Sequence, residues 1–526
     1  MSDLRSRLAN AAWRAVCEPA RQRLAAALHH PEAAQRAVLQ RILVSARNTE
    51  FSRRHGLHPD MSANDYRQAV PVRSYEDHVR DIERMKAGAA DVLCAGLPLA
   101  FERSSGSTAA AKYLPFTAGL RAEFQEAIRA WMGDLFSRHP SVMGGPAWWL
   151  VSPLRREPPT TGGIPVGLPG DDEYLGPLER RLASWLWAVP PAVASVESLE
   201  ASMDWSLRFL IQSPGLRLIS VWNASFLTIL WRRLLERPGA FIDGLARGTW
   251  TDAHPLLDRG LRAMPERAAA LRKRLQVPGD VWPHLALVSA WADAGAGRDA
   301  VEVQDLFPGT GFQAKGLLST EGAVTVPWGD DAAAGIPALH SHYLEFQERP
   351  EGDAGGIHTL QPGREYAVIL TTSGGLYRYR TGDLVQVECS CGETPRLRFT
   401  GRADDVVDLR GEKLNPRFVR EALAGIAVGF HLLAPSMAVE PPHYVLFTAA
   451  PGPAAEKVDA VLRANPHYAH ARDAGQLGMV RVVWIDPVTA PLKFLSHCAA
   501  AAQRPGPVKS TVLHRSSDWE RVFSEA

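Results

Sequence analysis

Residues 374–413 read GGLYRYRTGDLVQVECSCGETPRLRFTGRADDVVDLRGEK. The stretch opens on the turn Ser373-Gly374-Gly375, and apolar and charged residues then alternate through Leu376-Tyr377-Arg378-Tyr379-Arg380. That is the pattern of a half-buried strand. Thr381-Gly382-Asp383 reads as a carboxylate at the tip of a turn, after which Leu384–Val387 resumes the strand. A second strand, Arg396–Phe399, ends in Gly401-Arg402-Ala403-Asp404-Asp405, and Gly411-Glu412 turns the chain before Lys413. A carboxylate, a guanidinium and an ammonium group, each at a strand end, suit a sugar diol and a phosphate.

Two further stretches carry matching chemistry. In residues 101–117, FERSSGSTAAAKYLPFT, the hydroxyls of Ser104, Ser105, Ser107 and Thr108 surround Gly106, and Lys112 follows. Such a turn offers hydroxyl and backbone N–H donors to phosphate oxygens, and the lysine adds a point charge. It is not a Walker loop, because G-x-x-x-x-G-K-[ST] is absent. In residues 316–326, a strand delivers Ser319-Thr320-Glu321 to a turn before Gly322. The hydroxyl suits a phosphate. The carboxylate suits a Mg²⁺ held by that phosphate, since Mg²⁺ takes one or two carboxylates plus phosphates.

Together these motifs resemble those of adenylate-forming enzymes, and LYRYRTGD is the form found in the acyl acid–amido synthetases of the auxin-responsive Gretchen Hagen family. The phrase Val70-Pro71-Val72-Arg73-Ser74-Tyr75-Glu76-Asp77 is similar to that family's entry to its core domain. The resemblance spans residues 70–515. It departs from the family at Ala109-Ala110-Ala111, where glycine usually follows the hydroxyl pair. Cβ atoms there restrict positive φ and backbone approach.

The resemblance implies an α/β fold: a large multi-sheet N-terminal adenylating domain over 1–400 and a smaller α+β C-terminal cap over 401–526. Residues 1–70 form a helical packing layer, and a hinge falls at 402–405. It implies ATP and Mg²⁺ as cofactors. Ser104, Ser105, Gly106, Ser107, Thr108, Lys112, Ser319, Thr320, Tyr379, Asp383 and Arg402 would hold the nucleotide, with Glu321 on the metal. Lys413 would assist at the adenylate, in preference to Lys509 of the loop Gly506–Ser510. A small carboxylic acid would be adenylated and passed to an amine, most often an amino acid. Acyl transfer to coenzyme A or a carrier thiol is the rival on this scaffold. A nucleotide-binding protein that has lost catalysis is another, motivated by the alanine run.

The remaining chain reads as support. Leu4, Leu8, Ala11 and Ala12, then Leu24, Ala27 and Leu28, lie at helical spacing within 1–48, whereas Asn48–Ala69 is polar and turn-rich. Leu216–Trp222 reads as a strand, Asn223-Ala224-Ser225 as a cap and Phe226–Leu235 as a helix. Ligands of parallel sheets sit beyond the carboxyl ends of strands, so Trp222, Asn223 and Phe226 are candidate contacts for an apolar acid. His340-x-His342 reads as a plain strand with alternate residues in solvent, not a metal site. Cys389 and Cys391 read as packing residues.

Composition bounds the rest. At 526 residues, more than one core is expected. Lys+Arg 58 against Asp+Glu 57 leaves +1, so no nucleic-acid footprint is present. Five scattered cysteines fit reduced thiols in a cytoplasmic protein, no apolar run reaches membrane-span length, and a monomer is expected.

Overall fold

A pair of helices opens the chain, α1 (Ser2–Ala27) and α2 (Pro31–Ala46). They are separated where Pro31 takes the first helical position of α2, a site that needs no N–H. The buried face of α1 is Ala9, Trp13, Cys17, Ala20 and Leu24, at spacings of three and four. Leu4 and Leu8 are instead 65% and 61% exposed. The helix expectation holds, but its first apolar stripe faces solvent, because Trp13 outweighs two leucines in the area it buries. The structure, a computed structural model, describes residues 2–104, 112–150, 159–168, 174–196, 198–251, 253–329, 334–349, 352–403, 406–449, 452–502 and 511–524.

The polar segment after Asn48 is not a loop. It folds as α3 (Glu50–His55) and α4 (Ala63–Ala69), followed by α5 (Glu76–Lys86). Its polar residues are caps: Thr49 Oγ1 accepts from Ser52 N, and Ser62 with Asp65 forms a capping box.

A hairpin of β1 (Ala100–Ser104) and β2 (Lys112–Phe116) leads to the 21-residue α6 (Ala118–Arg138), capped by Thr117. Four parallel strands follow, with α7 (Pro177–Ala183), α8 (Leu199–Ile211) and α9 (Ser225–Glu236) among their connections. They are β3 (Ala147–Trp149), β4 (Leu218–Asn223), β5 (Leu287–Trp291) and β6 (Gly311–Ala314), side by side in that order. Every residue of β5 is buried, as expected of a strand covered on both faces.

A short antiparallel pair, β7 (Thr325–Val326) with β8 (Ile336–Pro337), precedes a five-stranded antiparallel sheet. Its strands are β9 (Tyr343–Glu348), β10 (Ala354–Gly355), β11 (Glu365–Thr371), β12 (Tyr379–Cys391) and β13 (Thr394–Arg402), in the order β10-β9-β11-β12-β13. Three details depart from expectation. Leu376–Arg378 lies outside the strand, with Arg378 at φ +45°, and Asp383 sits inside β12 rather than on a turn. His342 is fully buried in a turn before β9, its ring matched by the Glu123 carboxylate. Cys389 is exposed near the hairpin end, because β12 outruns the core there.

The smaller C-terminal unit pairs β14 (His431–Ser436) with β15 (His443–Thr448) antiparallel, and β15 with β16 (Arg481–Trp484) parallel. It has its own apolar centre around Leu414, Val419, Leu433, Tyr444 and Leu462. The fold is α/β, a large N-terminal domain with a smaller C-terminal one. No helix among the described residues is long and apolar enough to cross a membrane, and all five cysteines are free.

Candidate active site

Asp383 and Arg402 are direct partners across β12 and β13. Arg402 reaches the Asp383 carboxylate at 3.4 Å and donates to the Thr381 carbonyl at 3.0 Å. The backbone makes room for this by a register irregularity opposite β11 and by Gly382 at φ +86°, where a side chain would be strained. The bend swings a 2% exposed carboxylate onto the face shared with Glu321. Burial pushes the Glu321 carboxyl up and the nearby Asp383 charge pushes it further, while Arg402 pulls it back. The Tyr379 hydroxyl feels the same three charges, and burial above all raises it. Four residues chosen from two separate motifs therefore form one cluster. Ser319 lies beside it, its N–H donating to the Gly322 carbonyl at 3.0 Å, and Thr320 is half-buried.

The stem of the hydroxyl-rich loop docks on the same strand. Arg73 bridges to β12, donating from its N–H to the Arg378 carbonyl (2.9 Å) and accepting from the Arg380 N–H (2.8 Å). Next to it, the Tyr75 hydroxyl accepts from the Tyr113 N–H of β2 at 2.8 Å, and Lys112 lies 5.6 Å from the Tyr75 ring centre. Leu114 packs with Leu376 and Tyr379. Ser105, Gly106, Ser107, Thr108 and the side chain of Ser104 lie outside the described residues, as does Lys509.

A second tether joins α6 to the turn before the tyrosine-arginine motif. Thr117 donates to the Ser373 carbonyl at 2.9 Å, and Glu123 accepts from the Ser373 hydroxyl at 2.6 Å. Glu123 is not marked by the sequence, and Tyr75 appears there only within the phrase Val70–Asp77. A lone acid in a helix carries no local mark of the loop it will hold.

At the carboxyl edge of the parallel sheet, Trp222 lies over Lys315, with the ammonium 5.2 Å from the ring centre. Asn223 spends its carboxamide oxygen on Ser225 N and Oγ (3.0 and 2.9 Å), starting α9. Phe226 packs in the core near Trp148, with centroids 6.3 Å apart. Asp293, just past β5, is also buried, which lifts its carboxyl to about 7 even with Arg398 nearby. Lys413 is exposed at φ +47°, next to a Glu412 whose carboxylate is bound by the Leu409 and Arg410 N–H groups (2.7 Å each). Nothing among the described residues joins Lys413 to the Asp383 cluster.

The profile of the GH3 family N-terminal domain matches residues 20–310, and that of the GH3 family central domain matches 335–402. The chain belongs to the GH3 family. The first match closes just before β6, and the second covers the antiparallel sheet through Arg402, so Glu321 falls between them. Among GH3 relatives, the probable indole-3-acetic acid-amido synthetase GH3.4 of Oryza sativa subsp. japonica is 25% identical over 476 residues, 80% of this chain and 74% of that protein. The human GH3 domain-containing protein is 28% identical over 306 residues, 52% of this chain and 56% of its own. A solved GH3.15 acyl acid amido synthetase has a TM-score of 0.81 at 17% identity, covering 95% of both chains. The AtGH3.15 enzyme in complex with 2,4-DB gives 0.83 at 16% identity, covering 97% of this chain and 95% of that one. These likenesses show the GH3 fold over 95–97% of the chain.

Proposed function

We propose that the protein is an ATP-dependent acyl acid amido synthetase, forming an acyl adenylate and then an amide. The observation that carries this is the convergence of Glu321, Tyr379, Asp383 and Arg402 on one buried cluster. Relatives named as amido synthetases support the reaction class.

In the first step a carboxylate oxygen attacks the α-phosphorus of ATP, and the bond to pyrophosphate breaks. In the second, an amine attacks the acyl carbon, AMP leaves, and the amine gives up a proton. Asp383 accepts hydrogen bonds from the ribose hydroxyls, while Arg402 holds that carboxylate in place. Glu321 would hold Mg²⁺, which would supply positive charge to the phosphates; a single carboxylate beside a phosphate site fits that ion. Ser104, Ser105, Ser107 and Thr108, with Thr320 beside them, donate hydrogen bonds to the phosphates, and Lys112 adds a positive charge. The protein's contribution is positioning and preorganised charge. Trp222 and Phe226 wall the acid, with Asn223 setting the start of α9.

The small domain begins near residue 401 and swings about 402–405, which brings Lys413, and at the other half-reaction Lys509, to the adenylate. The exposed position of Lys413 suits a residue that arrives by domain movement. The protein works as a cytoplasmic monomer. Pyrophosphate–ATP exchange with a library of carboxylic acids tests the first step, and no exchange with any acid despite ATP binding defeats it. Replacing amino acids by coenzyme A or a carrier thiol in an AMP-release assay tests the second.

A further inference from the structure

One face of the parallel sheet is polar where a sheet interior should be apolar. Ser220 of β4, Ser289 of β5 and Gln313 of β6 are register partners and share a face, with Trp291 and Lys315 two residues further on; β4 is irregular after Ser220, and Trp222 joins this group through the contact of its ring with Lys315. The opposite face carries Ile219, Val221, Val288 and Ala290, all in the apolar core. Against the polar face lies Trp131 of α6, whose indole N–H donates to Gln313 Oε1 at 2.8 Å. Ser289 Oγ is 3.5 Å from the same oxygen.

Lys315 is 5% exposed. Its ammonium donates to Ser220 Oγ at 2.7 Å and lies 4.6 and 5.2 Å from the ring centres of Trp131 and Trp222. An ammonium has three N–H donors. Two find no acceptor among the described residues, and no described carboxylate pairs with the charge. Burying an unpaired cation is costly, and two ring faces offset only part of that. An anion would satisfy both the spare donors and the charge.

Its position says where the partner enters. Trp222 is two residues nearer the carboxyl edge of β4 than Ser220, and Glu321 lies six residues beyond Lys315, past that edge. Trp222, at the edge where an acid would lie, has its ring 5.2 Å from the Lys315 ammonium. We propose that Lys315, with Ser220, Ser289 and Gln313, forms a distal anion receptor, so that the preferred acid carries a second carboxylate at the end away from the reacting one. This rests on the adenylating reading and replaces a purely apolar acid by a dicarboxylic one.

The test uses the full chain with ATP and Mg²⁺ and matched pairs of acids: adipate against heptanoate, and 1,4-phenylenediacetate against 4-methylphenylacetate. Pyrophosphate exchange should show kcat/KM at least tenfold higher for the diacid of at least one pair. Lys315→Met should reverse that preference through KM for the acid, leave KM for ATP unchanged, and melt no lower than wild type. Lys315→Arg should keep part of the diacid preference. Exchange with the methyl-terminated acids but not the diacids overturns the receptor and leaves the adenylating reading standing. A lower melting temperature for Lys315→Met, with both acid series slowed equally, makes Lys315 structural and also overturns it. No exchange with any acid despite bound ATP overturns both.

Discussion

The Glu123 carboxylate of α6 accepts from the Ser373 hydroxyl at 2.6 Å and the Ser373 N–H at 3.1 Å, across 250 residues of chain. The same carboxylate lies 2.9 Å from His342 Nδ1. One buried acid thus fixes the turn that launches the tyrosine-arginine motif, from a helix whose first residues continue the hydroxyl-rich hairpin. Glu123→Ala leaves a half-buried Ser373 and a fully buried His342 without this partner and should cost ~2–4 kcal/mol, read as a lowered denaturation midpoint. Weaker ATP binding should accompany it, because the turn positions Tyr379 and Asp383.

Asp383→Ala removes the carboxylate proposed for the ribose hydroxyls. Charge-assisted hydrogen bonds are worth roughly 1.5–3 kcal/mol each, so ATP affinity should fall ~10- to 100-fold in a calorimetric titration. The fold should survive, since Arg402 keeps the Thr381 carbonyl as a partner. Unchanged ATP affinity would remove Asp383 from the nucleotide site.

Lys413→Ala separates chemistry from folding. The side chain is exposed, so stability should move by no more than ~0.5 kcal/mol. Acyl-adenylate formation should slow by ~10²-fold in single-turnover measurements, with ATP binding retained. A full-speed variant would shift the role to Lys509.

Lys315 predicts a pH-dependent difference between two proteins. Burial lowers its ammonium from 10.5 to about 7 in the folded state. Between those values the unfolded chain holds the extra proton, so stability rises with pH across that window. Below pH 7 both states are protonated and the burial cost is fully present; above 10.5 both are neutral and it is gone. The melting-temperature advantage of Lys315→Met should therefore be largest near pH 7 and shrink towards pH 10. A constant difference would mean the lysine stays charged throughout.

Gly375 sits at φ +93° at the head of the motif, and a Cβ there would lie 2.7 Å from Leu93 Cβ. Gly375→Ala meets both backbone strain and a clash with a fully buried neighbour. It should destabilise by more than ~1 kcal/mol, whereas Gly279→Ala, with open space around it, should not.

The order of the motifs, the helical N-terminus, the strand–cap–helix unit of Leu216–Leu235 and the α+β character of the last hundred residues were legible in the sequence. Each follows from local rules: apolar period, capping residues and turn glycines act within a few positions. The exposed face of Leu4 and Leu8, the helices hidden in Asn48–Ala69 and the in-strand position of Asp383 were not, because packing partners far along the chain chose between local alternatives. The same holds for the site. Its residue types could be named from one dimension, but the approach of Glu321 to Asp383, the Glu123 grip on Ser373 and the uncompensated charge of Lys315 are distances between remote segments. Only the folded chain sets those, since burial and charge act through space and not along the backbone.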